Sequence, residues 1–326
     1  VSRPPWHEAA LLGARLAAKL RAEAGPDAEA QWGRVLRALD TRLARAGAEA
    51  APSAPQPLDD LVLALGLGAD ERTLLVLAGM ADAHEAYGAA FAALHPRGES
   101  RPTWGLFAWL VSPDAGRETA LQCLHESPLL RLGIVRLTGD APLPEQSLRL
   151  AEGLWSALHG LPAWPPGSAP LAAGEWLDGL DGWIDQVATR QALALLRPDP
   201  DAASDAWPVP PCTVVLRGLQ PAAVRLRAQQ LAAAAGGLVF DWSATREAAE
   251  LSALLAHTLL RRALPVLLID GPLPPAHAAL LDACPVPLVL AGTAGWFSLD
   301  KETRGLLKTV PTNRDLLFWS VPQRDA

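Results

Sequence analysis

A chain of 326 residues, 50% apolar and 19% charged, has room for about two ordinary domains and the composition of a globular protein, not a disordered one. Its longest apolar runs (74–80 and 285–292) fall far short of the ~20 residues that cross a bilayer, and no charged segment followed by an apolar core opens it. Neither membrane insertion nor secretion is therefore expected, and the expected location is the cytoplasm. The net charge of −7 is uneven: residues 51–207 hold 9 basic and 20 acidic side chains, which would repel a phosphate backbone and argues against nucleic acid as a partner.

Residues 6–24 place Ala9, Leu12, Leu16 and Leu20 at helical spacing, and Gly25-Pro26 stops that helix. Residues 28–46 repeat the pattern with Trp32, Val35, Leu36, Leu39 and Leu43. Residues 1–50 thus read as a helical hairpin. Residues 51–57, with three prolines, read as a linker.

Residues 58–160 read as a winged-helix-like domain. Short helices run from Leu58 to Gly66–Gly68, from an Asp70 N-cap to Met80, and from Asp82 to about His95. In the same mostly helical stretch Pro102-Thr103 precedes TWGLFAWLV, and Pro113 starts DAGRETALQCLHE. Two strands, 132–137 and 146–150, then flank the turn TGDAPLPE, and a helix is expected over 151–160.

Residues 161–207 form a connector rich in Pro, Gly and Asp, with one helix over about 173–196. Asp178, Asp181 and Asp185 lack the alternating loop ligands and twelfth-position Glu of a calcium loop. Their spacing puts them on one helix face, which reads as a solvated face. The cysteines, Cys123, Cys212 and Cys284, form no CxxC and are odd in number, so they read as small buried residues. The seven histidines show no HExxH, and His84 and His95 flank one helix.

From 208 to 326 continuous apolar runs alternate with helices. Strands are expected at 212–218, 237–242, 265–270, 286–292 and 315–321, with helices at 221–234, 244–263 and 274–283. That rhythm implies a doubly wound parallel α/β sheet covered on both faces.

The turn after the first of these strands is where a phosphate loop would lie. Against G-x-x-x-x-G-K-[ST], the stretch 218–225 keeps only Gly218. Ala223 replaces the second glycine, Val224 the lysine and Arg225 the magnesium hydroxyl, and Pro221 removes a backbone N–H. The third strand ends in Asp270, a candidate magnesium ligand. Gly271 stands where an ATPase carries its water-activating Glu, and Thr293 where a polar sensor would stand. The residues give an ATPase layout without the charge that binds and cleaves ATP. No hydrolysis and no cofactor are expected.

Residues 70–78, 82–87, 102–106 and 127–137, in that order and spacing, resemble the N-terminal winged-helix-like region of the AAA+ ATPases found with contractile injection systems, which are phage-tail-like particles. The resemblance covers about 58–160 and continues more loosely from 208. It implies a P-loop-NTPase-like module with a degenerate phosphate loop over 208–326, followed in that family by an intact motor. This chain stops after its fifth strand without a helical lid, and so reads as a piece of a longer protein. The resemblance further implies protein partners (particle components or other AAA+ subunits), a homo-oligomer in the full-length protein, and Arg304 and Arg314 as candidates to act on a neighbouring subunit's nucleotide. The function expected is thus a non-catalytic interaction and scaffold region serving assembly, remodelling or cargo handling. One alternative is a divergent ATPase, binding ATP and magnesium through Asp270 with Arg225 or Arg227. Another is a winged-helix DNA binder, which the acidic charge disfavours.

Overall fold

A computed structural model describes residues 4–48, 56–111, 116–172, 181–196, 211–293 and 315–320. They fall into two compact units, 1–163 and 164–326. None of the described helices is long and apolar enough to cross a membrane.

The first unit is mainly helical. It opens with α1 (Pro5–Ala24) and α2 (Ala28–Ala48), joined through a single 3-10 turn at Gly25–Asp27. Next come α3 (Pro57–Leu65), α4 (Ala69–Ala83), α5 (Glu85–Leu94), α6 (Trp104–Val111), α7 (Gly116–Glu126) and α8 (Pro128–Arg131). The antiparallel pair β1 (Val135–Thr138) and β2 (Ser147–Leu150) makes the wing, and α9 (Leu154–Leu158) closes the unit. Thr103 adds a bridge to Ser147, so the wing is hydrogen-bonded to the chain entering α6.

The helical hairpin is not a separate domain here, because α1 packs on α4 and α5 and α2 packs on α5. Arg72 of α4 explains part of that attachment. Its guanidinium reaches Glu8 of α1 at 2.6 Å and Asp59 of α3 at 2.7 Å, tying three helices at one cation. Burial alone would lower the Arg72 pKa, but the hydrogen bonds to both carboxylates outweigh it and raise it. A second tie needs glycine: a Cβ on Gly79 would stand 2.1 Å from Cε3 of Trp155, so the indole of α9 lies directly on the backbone of α4.

Helix ends differ from the sequence expectation in detail. Gly68, not Asp70, precedes α4, and Glu71 reaches back to accept from the Gly68 N–H at 2.9 Å. Asp70 falls inside the first turn, where its charge complements the helix dipole. His84 caps α5, its Nδ1 accepting from Ala86 N–H at 3.1 Å. The expected helix over 151–160 shrinks to α9, because Gly153 and Gly160 at its ends have φ of 70° and 79°.

The second unit contains α10 (Asp181–Ile184), α11 (Val187–Leu196), β3 (Cys212–Gly218), α12 (Pro221–Ala235), β4 (Gly237–Trp242), α13 (Ala248–Leu259), β5 (Leu264–Ile269), α14 (Pro275–Ala283), β6 (Leu288–Thr293) and β7 (Asp315–Ser320). The single helix expected over 173–196 is, within the described residues, two helices broken at 185–186; Asp178 lies outside them. The helix expected over 244–263 starts only at Ala248. Residues 243–246 form a turn in which the Thr245 N–H donates to Ser243 Oγ, and Glu250 accepts from the Glu247 N–H to set the start.

All neighbours in the sheet are parallel, in the order β4-β5-β6-β3-β7. The chain leaves β3 for the far edge through α12, which packs across β3, β4, β5 and β6. It then returns strand by strand through α13 and α14. Right-handed crossovers running in opposite directions put α12 on one face and α13 and α14 on the other. The α12 face buries Val214, Leu216, Val224, Ala228, Leu231 and Val266 in one cluster.

The connector expected over 161–207 joins this unit from residue 164. Leu171 N–H donates to Val239 O on edge strand β4 at 2.8 Å. The Trp164 ring stacks at 5.9 Å on His257 and lies 4.0 Å beneath the Arg261 guanidinium.

Candidate functional site

In an open α/β sheet the ligand crevice lies beyond the carboxyl ends of the strands, where the crossover direction reverses. Here that point is β3 against β6, since β3 connects onward past β6 and β6 connects onward past β3. A cavity of about 170 Å³ stands there, lined by Pro221, Val224, Arg225, Asp241, Asp270 and Thr293 among others. The structure thus brings together four of the residues the sequence singled out: Val224, Arg225, Asp270 and Thr293. Gly218 is close by as the last residue of β3, paired with Thr293. Ala223 lies half-buried in the first turn of α12. Arg304 and Arg314 lie outside the described residues.

The local chain path decides what these residues can do. Only Leu219 and Gln220 separate β3 from α12, and α12 begins at Pro221. Stretch 218–225 is therefore a strand end, a two-residue turn and a helical turn, with no loop to wrap a phosphate. Proline at the first helical position also lacks the N–H that a helix N-terminus offers an anion. Val224 is 2% exposed and belongs to the apolar cluster under α12.

The charged groups of the crevice are engaged within the chain. Arg225 is closed on Asp241 of β4, a partner the sequence reading missed. The alternation Val239, Asp241 on the α12 face of β4 is the signal that could have found it. Asp270 is exposed, and its Oδ1 accepts from the Ala244 N–H at 2.9 Å, pinning the turn after β4 to the end of β5. Gly271 follows with no side chain to activate a water. The cavity is smaller than the ~300–1,000 Å³ of ordinary small-molecule sites. These residues do not fit magnesium and ATP: no loop, no free cation facing a phosphate, and an aspartate already hydrogen-bonded to backbone. Among the described residues no group of three His, Cys, Asp or Glu side chains stands where it could hold a metal ion.

In the first unit the described cysteine and the two histidines that flank α5 have structural surroundings. Burial pushes the Cys123 thiol up to about 11, so it stays protonated and inert at neutral pH. The two histidines flanking α5 are structural. His84 caps its start, and His95 accepts from the Arg97 N–H at 3.0 Å through Nδ1 while its Nε2 lies 3.3 Å from Ser147 Oγ.

What the first unit does present is charge on the outer face of its wing. Val135, Leu148 and Leu150 turn inward and are buried, whereas Arg149 is exposed and Arg136 half-buried. Glu99 sits at the root of that face. Its Oε2 accepts from Ser147 Oγ at 2.6 Å, and its Oε1 is 4.0 Å from the Arg97 Nε. The Ser147 hydrogen bond, helped by His95, Arg97 and Arg149, holds the Glu99 carboxyl below the usual range. The sequence reading passed over these arginines, although their alternation with apolar residues along each strand marks them as outward-facing.

No curated protein matched the chain. Residues 9–163, which hold these helices, the two-stranded wing and the Thr103 bridge, match the family model of the winged helix domain, variant.

Proposed function

We propose that this chain is a non-catalytic protein-interaction and scaffold region of an AAA+ ATPase, serving the assembly, remodelling or cargo handling of a contractile injection particle. The α/β unit is read as a P-loop-NTPase-like module with a degenerate phosphate loop, kept as scaffold or oligomer contact. The winged helix unit docks a partner. The observation that carries the non-catalytic part is the crevice itself: Val224 is core, Arg225 is closed on Asp241, and Asp270 holds the Ala244 N–H. A switch-point crevice in which the positions of the phosphate lysine, the magnesium hydroxyl and the magnesium aspartate are each taken up by another contact supports a scaffold. The link to the particle rests on the resemblance of 70–78, 82–87, 102–106 and 127–137 alone.

A pull-down of the particle's baseplate and tube proteins by this chain tests the reading. Reproducible capture of one of them is the expected result. Repeated capture of none, together with magnesium-dependent phosphate release that vanishes in Asp270→Ala, would replace it with a divergent ATPase.

A further inference from the structure

We propose that the outer face of the wing is a docking site for a short acidic segment of a partner protein, gripped by Arg136, Arg149 and Arg97. The proposal rests on the protein-docking reading above and names the chemistry of one docking face.

The wing carries a like-charge conflict. Its register sets Arg136 directly opposite Arg149. Like charges facing each other across an antiparallel pair destabilise it. The Arg136 Nε is buried without a hydrogen-bond partner among the described residues. Neither arginine closes an ion pair there either, although Arg149 lies in the field of Glu99. A third cation joins them: Arg97 Nη2 is 3.5 Å from where a Cβ on Gly139 would stand, next to the end of β1. Three guanidinium groups and one resident carboxylate, Glu99, thus share the face. Guanidinium forks match carboxylates in paired hydrogen bonds, which are among the stronger ones proteins form.

The surroundings select the occupant. A nucleic-acid duplex carries a negative charge about every 1.7 Å and must extend well beyond three arginines. It would then run over Asp140 and Glu145 of the wing loop and Glu152 beyond β2, on a stretch, 58–160, that holds 7 basic and 13 acidic side chains. An extended peptide instead sets same-side carboxylates about 7 Å apart, so two or three can be matched to the three guanidinium groups without a duplex-length footprint.

The test is fluorescence anisotropy at low salt with a fluorescein-labelled hexaglutamate peptide, set beside a labelled twelve-base-pair duplex. Saturable peptide binding is expected, weakened by added salt and at least about 10-fold tighter than that of the duplex. Arg136→Glu weakens peptide binding by about 10-fold or more, and Arg149→Gln by several-fold. Arg136→Glu also turns the facing pair into an attractive one, so the melting midpoint of the first unit stays level or rises by about 1–2 °C. Lost binding at undiminished stability separates a docking role from a folding one. Absence of peptide binding, binding indifferent to both variants, or tighter binding of the duplex would each overturn the proposal. None of these outcomes bears on capture of particle proteins, which tests the broader reading separately.

Discussion

Across the wing Arg136 faces Arg149 with no ion pair to either among the described residues, whereas in the sheet crevice Arg225 is closed on Asp241 and Asp270 on the Ala244 N–H. The wing leaves its two facing guanidinium groups without an ion pair among the described residues, and the crevice engages its charges internally. A crevice at a topological switch point is the usual place for chemistry in an open sheet, but its reactive side chains must be available to a ligand. In the second unit they hold the fold together. In the first, the Arg136 Nε on the wing is buried without a hydrogen-bond partner among the described residues.

The two units can be set apart by disturbing the ties of each. The largest effect is expected from Arg72→Met, which takes the guanidinium away from two carboxylates, Glu8 and Asp59, with side chains only 17% and 25% exposed. Breaking a fully buried pair costs about 3–5 kcal/mol, and this degree of exposure brings the expectation to about 2–3. Chemical denaturation should show the first unit destabilised while the transition of the second stays in place. A single shared shift would show that the units do not unfold independently.

Gly79→Ala comes next. The indole of Trp155 would have to leave the backbone of α4, at about 2 kcal/mol after the gain in helix propensity. Adding Trp155→Leu to it should recover part of the loss.

His84→Ala removes the cap of α5 and should cost about 1 kcal/mol. Burial, with Arg42 and Arg45 adding and Glu85 opposing, lowers the His84 pKa below its ordinary 6.5. The unfolded chain therefore takes up the proton first, and the contribution of His84 is lost as pH falls below about 6.5. His84→Asn keeps a capping oxygen without titrating, so it should flatten that limb of the stability-pH profile; an unchanged limb would place the titration elsewhere.

The smallest effects are in the crevice. Asp270→Asn keeps an acceptor for the Ala244 N–H and should leave the stability of the second unit unchanged, whereas Asp270→Ala should cost about 0.5–1 kcal/mol. Equal losses in both variants would mean that the negative charge itself matters there.

Much of the fold was legible because it follows from local chemistry. Gly25-Pro26 and Gly66 end helices where their backbone preferences require, and the apolar runs of 208–293 became strands alternating with helices. The strand order was not legible, since crossovers of similar length can reach different neighbours. Helix starts moved where a side chain two or three residues on supplied the cap, as Glu71 and Glu250 do.

The candidate site was legible as a set of positions but not as chemistry. Aligning 218–225 with a phosphate loop assumes a loop, and only the folded chain has α12 beginning two residues after β3. Asp241 was passed over because its partner, Arg225, is sixteen residues away and on another element. The opposition of Arg136 and Arg149 depends on hairpin register, which the long wing loop sets and the sequence alone does not.

Calorimetry of this chain with ATP and magnesium decides whether the crevice serves the fold or a nucleotide. No binding heat is expected, with or without Asp270→Ala. Micromolar binding abolished by Asp270→Ala would contradict that expectation, and would mean that the turn between β3 and α12 opens to cradle phosphate.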